Sequence, residues 1–310
     1  KFMTDSVSGF IDLILRNLPD NESELRGTIK SSFGDISYEL IGHSVENYYE
    51  KGMPIDEVCL VTQSVLGLIL KHTDRSDSGR VLIESLSQAG KLFSQKIRHD
   101  IRKKINGIYV IVDPAATDGR SVHEVVKSAL SGGVSIVQYR DKQNDRSVFL
   151  EQSYMIKELC ENHEALFVVN DAVDVARLTA ADFLHVGQSD LPVYEARKLL
   201  SDKQGIGRSN DGLTESAQSR DEGADYLAVG AVYATSTMGK SSRTPVGAET
   251  VTLVKEAVDL PVVAIGGINE TNLGEVRSAG ADSACIVSAI TMADNPEAAA
   301  KKMVAIWNQS

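Results

Sequence analysis

The chain has 310 residues, of which 42% are hydrophobic and 24% are charged, values typical of a soluble globular protein. Its net charge is −11, and nearly all of this excess lies beyond residue 104, where 18 basic residues are outnumbered by 28 acidic ones. So acidic a region argues against nucleic acid or an anionic membrane as a partner, and an anionic substrate would need a few well-placed cationic groups.

Cysteine usage and hydropathy add two expectations. Cys59, Cys160 and Cys285 are odd in number, widely separated and set in apolar surroundings, so we expect buried, reduced thiols and a cytoplasmic location. No run of about 18 apolar residues occurs, so no membrane span is expected. The first four residues do not open an apolar secretion signal either.

Residues 1–104 are predicted to form a small all-α domain of about four helices. Apolar residues recur at helical spacing over residues 10–18 and again over 29–48. Pro54, with acidic residues behind it, is typical of a helix start, and a polar break over residues 74–79 precedes the last helix. That helix is basic near its end at residue 104, which suits the negative end of its dipole. The pattern indicates a helical bundle.

From residue 108 onward, short β-rich apolar runs alternate with helical stretches, eight of each. Strands are predicted at residues 108–113, 135–140, 166–171, 183–188, 205–210, 226–231, 261–266 and 283–290. Helices are predicted at residues 122–130, 148–161, 173–180, 193–200, 213–222, 250–258, 273–279 and 296–307. Eight such units predict an α/β fold, a (β/α)8 TIM barrel over residues 105–310. An open doubly wound sheet is the alternative, disfavoured because no long crossover interrupts the repeats.

Candidate site residues follow seven of the eight predicted strands. Active sites of such barrels lie where the strands end, so these residues are expected to converge on one mouth. In chain order they are Gln138, Arg140 and Lys142; Asn170 and Asp171; Asp190; Ser209; Thr235 and Thr237; Gly267; and Val287 and Ser288.

Four charged residues among them predict a metal and diphosphate site. Asp171 and Asp190 follow neighbouring strands, and two carboxylates with water and phosphate oxygens commonly hold Mg2+. Arg140 and Lys142 supply cations suited to a phosphate or pyrophosphate. A salt-bridge network among these four residues is the structural alternative. His185, on strand four, is expected to be a packed, hydrogen-bonded core residue rather than a catalytic base.

A second phosphate site is predicted where the last two strands end. Gly266-Gly267 allows the backbone to approach a ligand closely, and the loops after strands seven and eight form the usual phosphate site of these barrels. Ser288-Ala289 holds the matching position after strand eight, where backbone N–H groups would meet anionic oxygens. For the glycine pair alone, a tight turn is the alternative.

Six motifs identify a family. They are Gln-x-Arg-x-Lys from Gln138, Asn-Asp at Asn170, His-x-Gly-Gln-x-Asp-Leu from His185, Thr-x-Thr from Thr235, Ile-Gly-Gly-Ile from Ile265 and Val-Ser-Ala-Ile from Val287. In order and spacing they are similar to those of thiamine phosphate synthases, and the resemblance covers residues 108–309. Members join 4-amino-2-methyl-5-hydroxymethylpyrimidine diphosphate to 4-methyl-5-(2-hydroxyethyl)thiazole phosphate, giving thiamine phosphate and pyrophosphate. The resemblance therefore implies a Mg2+-dependent transferase of thiamine biosynthesis.

The resemblance also implies roles for single residues. Those expected to hold the pyrimidine diphosphate are Gln138, Arg140, Lys142, Asn170 and Ser209, with Asp171 and Asp190 binding Mg2+. Those expected to hold the thiazole phosphate are Thr235, Thr237, Gly267, Val287 and Ser288. The family reaction is dissociative, so the catalytic residues Arg140, Lys142, Ser209 and Lys240 are expected to stabilise the leaving diphosphate, and no protein nucleophile is needed.

The chain departs from the family at a lysine that usually follows Thr-x-Thr directly. Here Met238-Gly239 intervene before Lys240, and Arg208 is a second candidate for the cation. A thiazole tautomerase on the same barrel is the alternative function, although it carries a catalytic histidine where this chain has Asp211.

Two further alternatives are an indole-glycerol-phosphate synthase-like barrel and a non-catalytic barrel that binds thiamine precursors. The Asn-Asp and Gln-x-Asp motifs argue against the first, and the predicted metal ligands and diphosphate-binding cations argue against the second. The roles open to the helical domain are dimerisation, packing on the barrel, sensing or partner docking. Whether the chain forms a homo-oligomer is open with them.

Overall fold

The computed structural model describes residues 13–16, 18, 20–34, 54–72, 77–235, 237 and 244–309. The chain divides into two units, Lys1–Arg98 and His99–Ser310. Among the described helices, none is long and apolar enough to cross a membrane. The three cysteines are buried free thiols, as expected.

The first unit is built of α-helices over its described residues. Helix α1 spans Ser23–Gly34, α2 spans Ile55–His72, and α3 spans Asp77–Arg102 and continues past the end of the unit. Pro54 precedes α2, and acidic residues occupy the first turn of that helix, where they face the positive end of its dipole. The core contains Ile14, Ile29, Val58, Leu82 and Phe93. Most of the helix expected over residues 29–48 lies outside the described residues.

The second unit is a closed barrel of eight parallel strands. The strands are β1 Gly107–Val112, β2 Ile136–Tyr139, β3 Leu166–Asn170, β4 Phe183–Val186, β5 Gly205–Asn210, β6 Tyr226–Val229, β7 Val262–Ile265 and β8 Ser283–Ile286. Strands adjacent in sequence pair with each other, and β8 closes the barrel by pairing with β1. The predicted TIM barrel is therefore confirmed, and the alternative of an open sheet is wrong.

Helices follow every strand and cover the outside of the barrel. They are α4 Val122–Ser131, α5 Arg146–Asn162, α6 Val173–Leu178, α7 Val193–Leu199, α8 Leu213–Asp221, α9 Ala248–Ala257, α10 Leu273–Ser278, α11 Ser288–Thr291 and α12 Pro296–Gln309. Their apolar faces pack against the outward-facing strand residues in one large hydrophobic cluster.

The end of the eighth strand differs from the expectation. The strand was expected to reach residue 290, but β8 ends at Ile286 and the following residues form the short helix α11. Val287 leaves the strand conformation (φ −118°, ψ −96°), and the N–H groups of Ile290 and Thr291 donate to its carbonyl oxygen. An apolar run continues through both elements, so hydrophobicity alone could not separate them.

Side chains alternate between the outer core and the barrel interior along each strand. The interior is filled mainly by apolar residues, among them Ile136, Leu166, Phe183, Val263 and Cys285. The polar residues Gln138 and His185 lie near the carboxyl ends of β2 and β4, which places them beneath the expected mouth.

Candidate active site

Two adjoining cavities open where the strands end. The larger cavity, of about 540 Å³, is lined by seven of the predicted residues: Gln138, Arg140, Lys142, Asn170, Asp171, Asp190 and Ser209. The smaller cavity, of about 250 Å³, is lined by five more: Thr235, Thr237, Gly267, Val287 and Ser288. Ile265 lines both, so ligands in the two cavities would be neighbours. Lys240 lies outside the described residues.

A pair of carboxylates lies in the larger cavity. Asp171 directly follows β3, Asp190 lies in the loop after β4, and the two side chains hydrogen bond to each other. Burial raises the pKa of Asp171, and the hydrogen bond to Asp190 adds to this rise. Burial also opposes ionisation of Asp190, yet hydrogen bonds from Asp171 and from the Gly187 N–H lower its pKa. Each carboxylate therefore affects the ionisation of the other, and a divalent cation bound between them would favour the ionised form of both.

Backbone strain and a nearby cation both act on Asp171. Its φ of 57° lies in the left-handed region, which non-glycine residues rarely adopt. Its N–H donates to the His185 carbonyl oxygen at 2.8 Å, which ties β3 to β4 at this point. The Lys142 ammonium contacts its carboxylate. Strain of this kind clusters at functional sites, because only a firm surrounding structure maintains it.

Arg140 is held by an aspartate that the sequence did not single out. The Arg140 guanidinium donates to the carboxylate of Asp113, a residue only 1% exposed that follows β1. The other oxygen of Asp113 accepts the N–H of Ala115 at 2.9 Å, which begins a short 3-10 turn over Pro114–Ala116. The guanidinium is thereby fixed beside the larger cavity. The position of Asp113 at the end of the first predicted strand was the available signal.

Two sequence expectations about charged residues need correction. Arg208 cannot supply a cation to the larger cavity, because its side chain faces the outer helices. There it forms an ion pair with Glu222, which directly follows α8. Arg208 neighbours Ser209 on β5, so the two side chains point to opposite faces. The four predicted charged residues do not form a single salt-bridge network either. Arg140 pairs with Asp113, which is not one of the four, while Lys142 pairs with Asp171.

A chain of hydrogen bonds crosses the barrel interior beneath the larger cavity. Gln138 Nε2 donates to Tyr109 Oη at 2.7 Å, and Tyr109 Oη lies 3.0 Å from Tyr226 Oη. Tyr226 Oη lies 3.0 Å from His185 Nδ1, and His185 Nε2 lies 3.0 Å from Ser209 Oγ. We call these five residues the interior relay. His185 is buried and hydrogen bonded, as expected, but the relay itself was not predicted.

Gly207 makes room for this relay. A Cβ atom built on Gly207 would come within 2.0 Å of the Tyr226 ring, so any side chain here would displace that ring. Along a strand, every second side chain faces the interior of the barrel. The polar or glycine residues of the interior on β2, β4, β5 and β6 occupy such positions. That alternation was the sequence signal for the relay.

The smaller cavity is formed by backbone turns. Gly267 has φ +65°, and a Cβ atom there would lie 2.5 Å from the Ala234 carbonyl oxygen, so only glycine fits without strain. Ser288 begins α11, and its hydroxyl lies 3.3 Å from that of Thr237. This contact joins the loop after β6 to the loop after β8. The cavity is suited to an anionic group bound by hydroxyl and backbone N–H donors.

Comparison with known proteins agrees with these motifs. The family model of thiamine monophosphate synthase matches residues 108–290. The chain belongs to this family. A thiamine phosphate pyrophosphorylase from Pyrococcus furiosus is similar in structure, with a TM-score of 0.62 and 32% identity, over 67% of this chain and 98% of that one.

Two relatives named thiamine-phosphate synthase differ in how much of them is matched. The Halorhodospira halophila protein is 41% identical over 208 residues, covering 67% of this chain and 97% of the relative. The Synechococcus protein is 43% identical over 196 residues, covering 63% of this chain and 55% of the relative. The match thus spans about half the length of the second relative and nearly all of the first.

Proposed function

We propose that this chain joins hydroxymethylpyrimidine diphosphate to thiazole phosphate, forming thiamine phosphate and releasing pyrophosphate. The observation that carries the proposal is the pair of adjoining cavities. One holds two cations and a carboxylate pair, as a diphosphate with its metal requires. The other presents Gly267 and the start of α11, as a phosphate requires. The tautomerase alternative is not favoured, since Asp211 replaces its histidine.

The chemistry needs two aligned substrates and a stabilised leaving group. The bond between the pyrimidine methylene carbon and the bridging oxygen breaks, and its electron pair leaves with the diphosphate. The thiazole nitrogen then donates its lone pair to the pyrimidine cation, forming the new C–N bond. Arg140, Lys142 and Ser209 are placed to stabilise charge on the departing oxygens, while the smaller cavity aligns the nucleophile.

The donor set of the larger cavity fits Mg2+. A diphosphate beside Asp171 and Asp190 would be repelled unless a divalent cation lay between them. Among the described residues, no group of three or more His, Cys, Asp or Glu side chains could hold a metal, so water and substrate oxygens would complete the ligands. When bound, Mg2+ would neutralise the diphosphate.

Lys240 is proposed to contact the diphosphate from the loop after β6. Its long flexible side chain allows it to reach past two inserted residues. We expect Lys240→Ala to lower turnover tenfold or more, about 1.4 kcal/mol. Lys301→Ala, which removes an exposed lysine paired with Glu297 on α12, is the matched control. An unchanged rate in the Lys240 variant would contradict the role.

We also infer a cytoplasmic location, which the three free, buried thiols favour. Small-molecule substrates are the proposed partners, and a homo-oligomer stays a prediction. The direct test of function is incubation of the full chain with both substrates and Mg2+. Thiamine phosphate detected by mass would support the proposal, whereas none at any metal concentration would contradict it.

A further inference from the structure

Both ends of the interior relay reach the larger cavity, although its middle members are buried. Gln138 and Ser209 line the cavity, whereas Tyr109 and Tyr226 lie in the interior at 2% exposure or less. Gln138 Oε1 is buried and has no hydrogen-bond partner among the described residues. A buried acceptor without a donor is costly, so this oxygen points to a ligand that brings an N–H or O–H group.

The two phenols transmit hydrogen-bond direction along the relay. Burial raises the pKa of Tyr109 and of Tyr226 well above the usual value for tyrosine, so both keep their protons. Each hydroxyl therefore has one hydrogen to donate. Because Gln138 donates to Tyr109, the Tyr109 proton is free to be donated to Tyr226.

The direction of these bonds selects the tautomer of His185. Tyr226 accepts from Tyr109, so its own proton is donated to His185 Nδ1, which must be unprotonated. The ring proton then resides on Nε2, which donates to Ser209 Oγ. A protonated Nδ1 would leave one of the two phenol protons without an acceptor within the relay, at the cost of an unpaired buried donor.

We propose that the interior relay fixes the Nε2–H tautomer of His185 and thereby turns the Ser209 hydroxyl proton toward the larger cavity, where it donates to the leaving diphosphate. This deepens the proposed function and rests on it. Ser209 makes no other side-chain hydrogen bond among the described residues, so its proton has the cavity as its target. Ser209 is the catalytic residue, and His185, Tyr226 and Tyr109 are positioning residues.

The relay also couples substrate choice to leaving-group stabilisation. An exocyclic amine donating to Gln138 Oε1 preserves the direction just described. A ligand that offered an acceptor instead would turn the Gln138 amide, reverse each bond and draw the Ser209 proton to His185 Nε2. The relay thus favours an amino-substituted ring at one end together with an anionic oxygen at the other.

The tautomer of His185 is measurable without turnover. Long-range 1H–15N spectra of the full chain, labelled with 15N, distinguish the two neutral tautomers and the imidazolium, and loss of one signal set in His185→Gln assigns it among six histidines. We expect an Nε2–H tautomer in the wild type. An Nδ1–H tautomer or an imidazolium would overturn the proposal.

Two tyrosine variants test how the tautomer is set. Tyr226→Phe should abolish the preference of His185 for Nε2–H. Tyr139→Phe should leave it unchanged, because Tyr139 is an equally buried tyrosine whose hydroxyl donates to Asp141 outside the relay. If Tyr226→Phe left the tautomer unchanged, another group would set it and the relay would be refuted. Should the His185 variant not fold, the signal set that shifts in Ser209→Ala, which removes the partner of His185 Nε2, provides the assignment.

Kinetics separate positioning from mere structural support. Removing one preorganised donor by Ser209→Ala should lower kcat about 100-fold. Tyr226→Phe should lower kcat about tenfold with little change in either KM, and in the Ser209→Ala background it should cost less than about twofold. Fully additive losses would overturn the proposal. A wild-type chain without turnover would instead contradict the proposed function, and the tautomer would still decide whether the relay is set as described.

Discussion

Asp171 combines a carboxylate suited to a metal with a backbone conformation that few residues tolerate. Its φ of 57° is accessible to asparagine more readily than to alanine. Asp171→Asn therefore removes the charge with little added strain. We expect a loss of turnover of about 100-fold or more, because a metal supplies several kcal/mol of charge stabilisation. Circular dichroism should show an unchanged fold.

Removing the metal from the wild type should have the same effect as this substitution. Excess chelator is expected to abolish turnover, and added Mg2+ to restore it. Asp174→Asn provides the control, since Asp174 is an exposed aspartate on α6 that pairs with Arg146. Full turnover in chelator would show that the carboxylate pair does not hold a required metal.

Arg140 contributes to stability as well as to the reaction. Arg140→Met should cost on the order of 2–4 kcal/mol in transition-state stabilisation, seen in kcat as well as in KM for the diphosphate. It also leaves the buried Asp113 carboxylate without its cation, which lowers the free energy of unfolding by about 1–3 kcal/mol.

A second substitution separates these two effects. Adding Asp113→Asn to Arg140→Met removes the unpaired charge, so the free energy of unfolding in urea should partly recover while turnover should not. Recovery of turnover by the double variant would mean that Arg140 acts only through the stability of the fold.

Among the elements, the turn after β7 offers the clearest way to weaken binding of one substrate without affecting binding of the other. Gly267→Ala places a methyl group against the Ala234 carbonyl oxygen and forces alanine to φ +65°. We expect KM for the thiazole phosphate to rise about tenfold, roughly 1.4 kcal/mol. KM for the pyrimidine diphosphate should change little, since the larger cavity does not include Gly267.

Gly223 provides the matched control for this substitution. It also has a positive φ, of 94°, but a Cβ atom there would meet nothing within 4 Å, and it precedes β6 rather than following a strand at the mouth. Gly223→Ala should therefore impose only the cost of a positive φ on alanine, without a steric clash, and leave both KM values unchanged. Equal rises in the KM of both substrates for Gly267→Ala would contradict the separation.

The elements were predictable because each signal is local. Eight apolar runs with turn residues between them give the strands, and the polar residues after them give the mouth. Pairings that depend on tertiary contacts could not be predicted in this way. The ion pair of Asp113 with Arg140 needs the 3-10 turn, and the interior relay needs five strands brought together. Strand alternation would have excluded Arg208 from the barrel interior, because the adjacent residue Ser209 faces inward and Arg208 must then face outward.

At the scale of the whole molecule, the division of the chain falls inside a helix. The sequence predicted a domain boundary near residue 104, where helical periodicity ends, whereas the two units divide between Arg98 and His99. Ile101 and Ile105 pack against the interior cluster of the barrel, and Arg102 lies 3.9 Å from Asp225. Helical periodicity runs through this point without a break, so it gave no sign that the last turn of α3 packs with the barrel.

This arrangement predicts where a shortened chain should begin. The Halorhodospira relative is matched over 97% of its length by a region of barrel size, so a barrel without a large additional domain exists in the family. A chain of residues 99–310 should fold and make thiamine phosphate at a rate near that of the full chain. A chain of residues 105–310 loses Ile101 and Arg102, which should cost about 1–2 kcal/mol, or roughly 3–6 °C in Tm.

Thermal unfolding and turnover of both shortened chains, measured beside the full chain, test this prediction. If residues 99–310 are insoluble, the helical unit covers apolar surface that the barrel cannot leave exposed. If they are soluble and folded but inactive, the helical unit contributes to the active site. Equal Tm values for the two shortened chains would show that the last turn of α3 adds nothing to the barrel, because the lost contacts of Ile101 and Arg102 would then carry no net stabilisation.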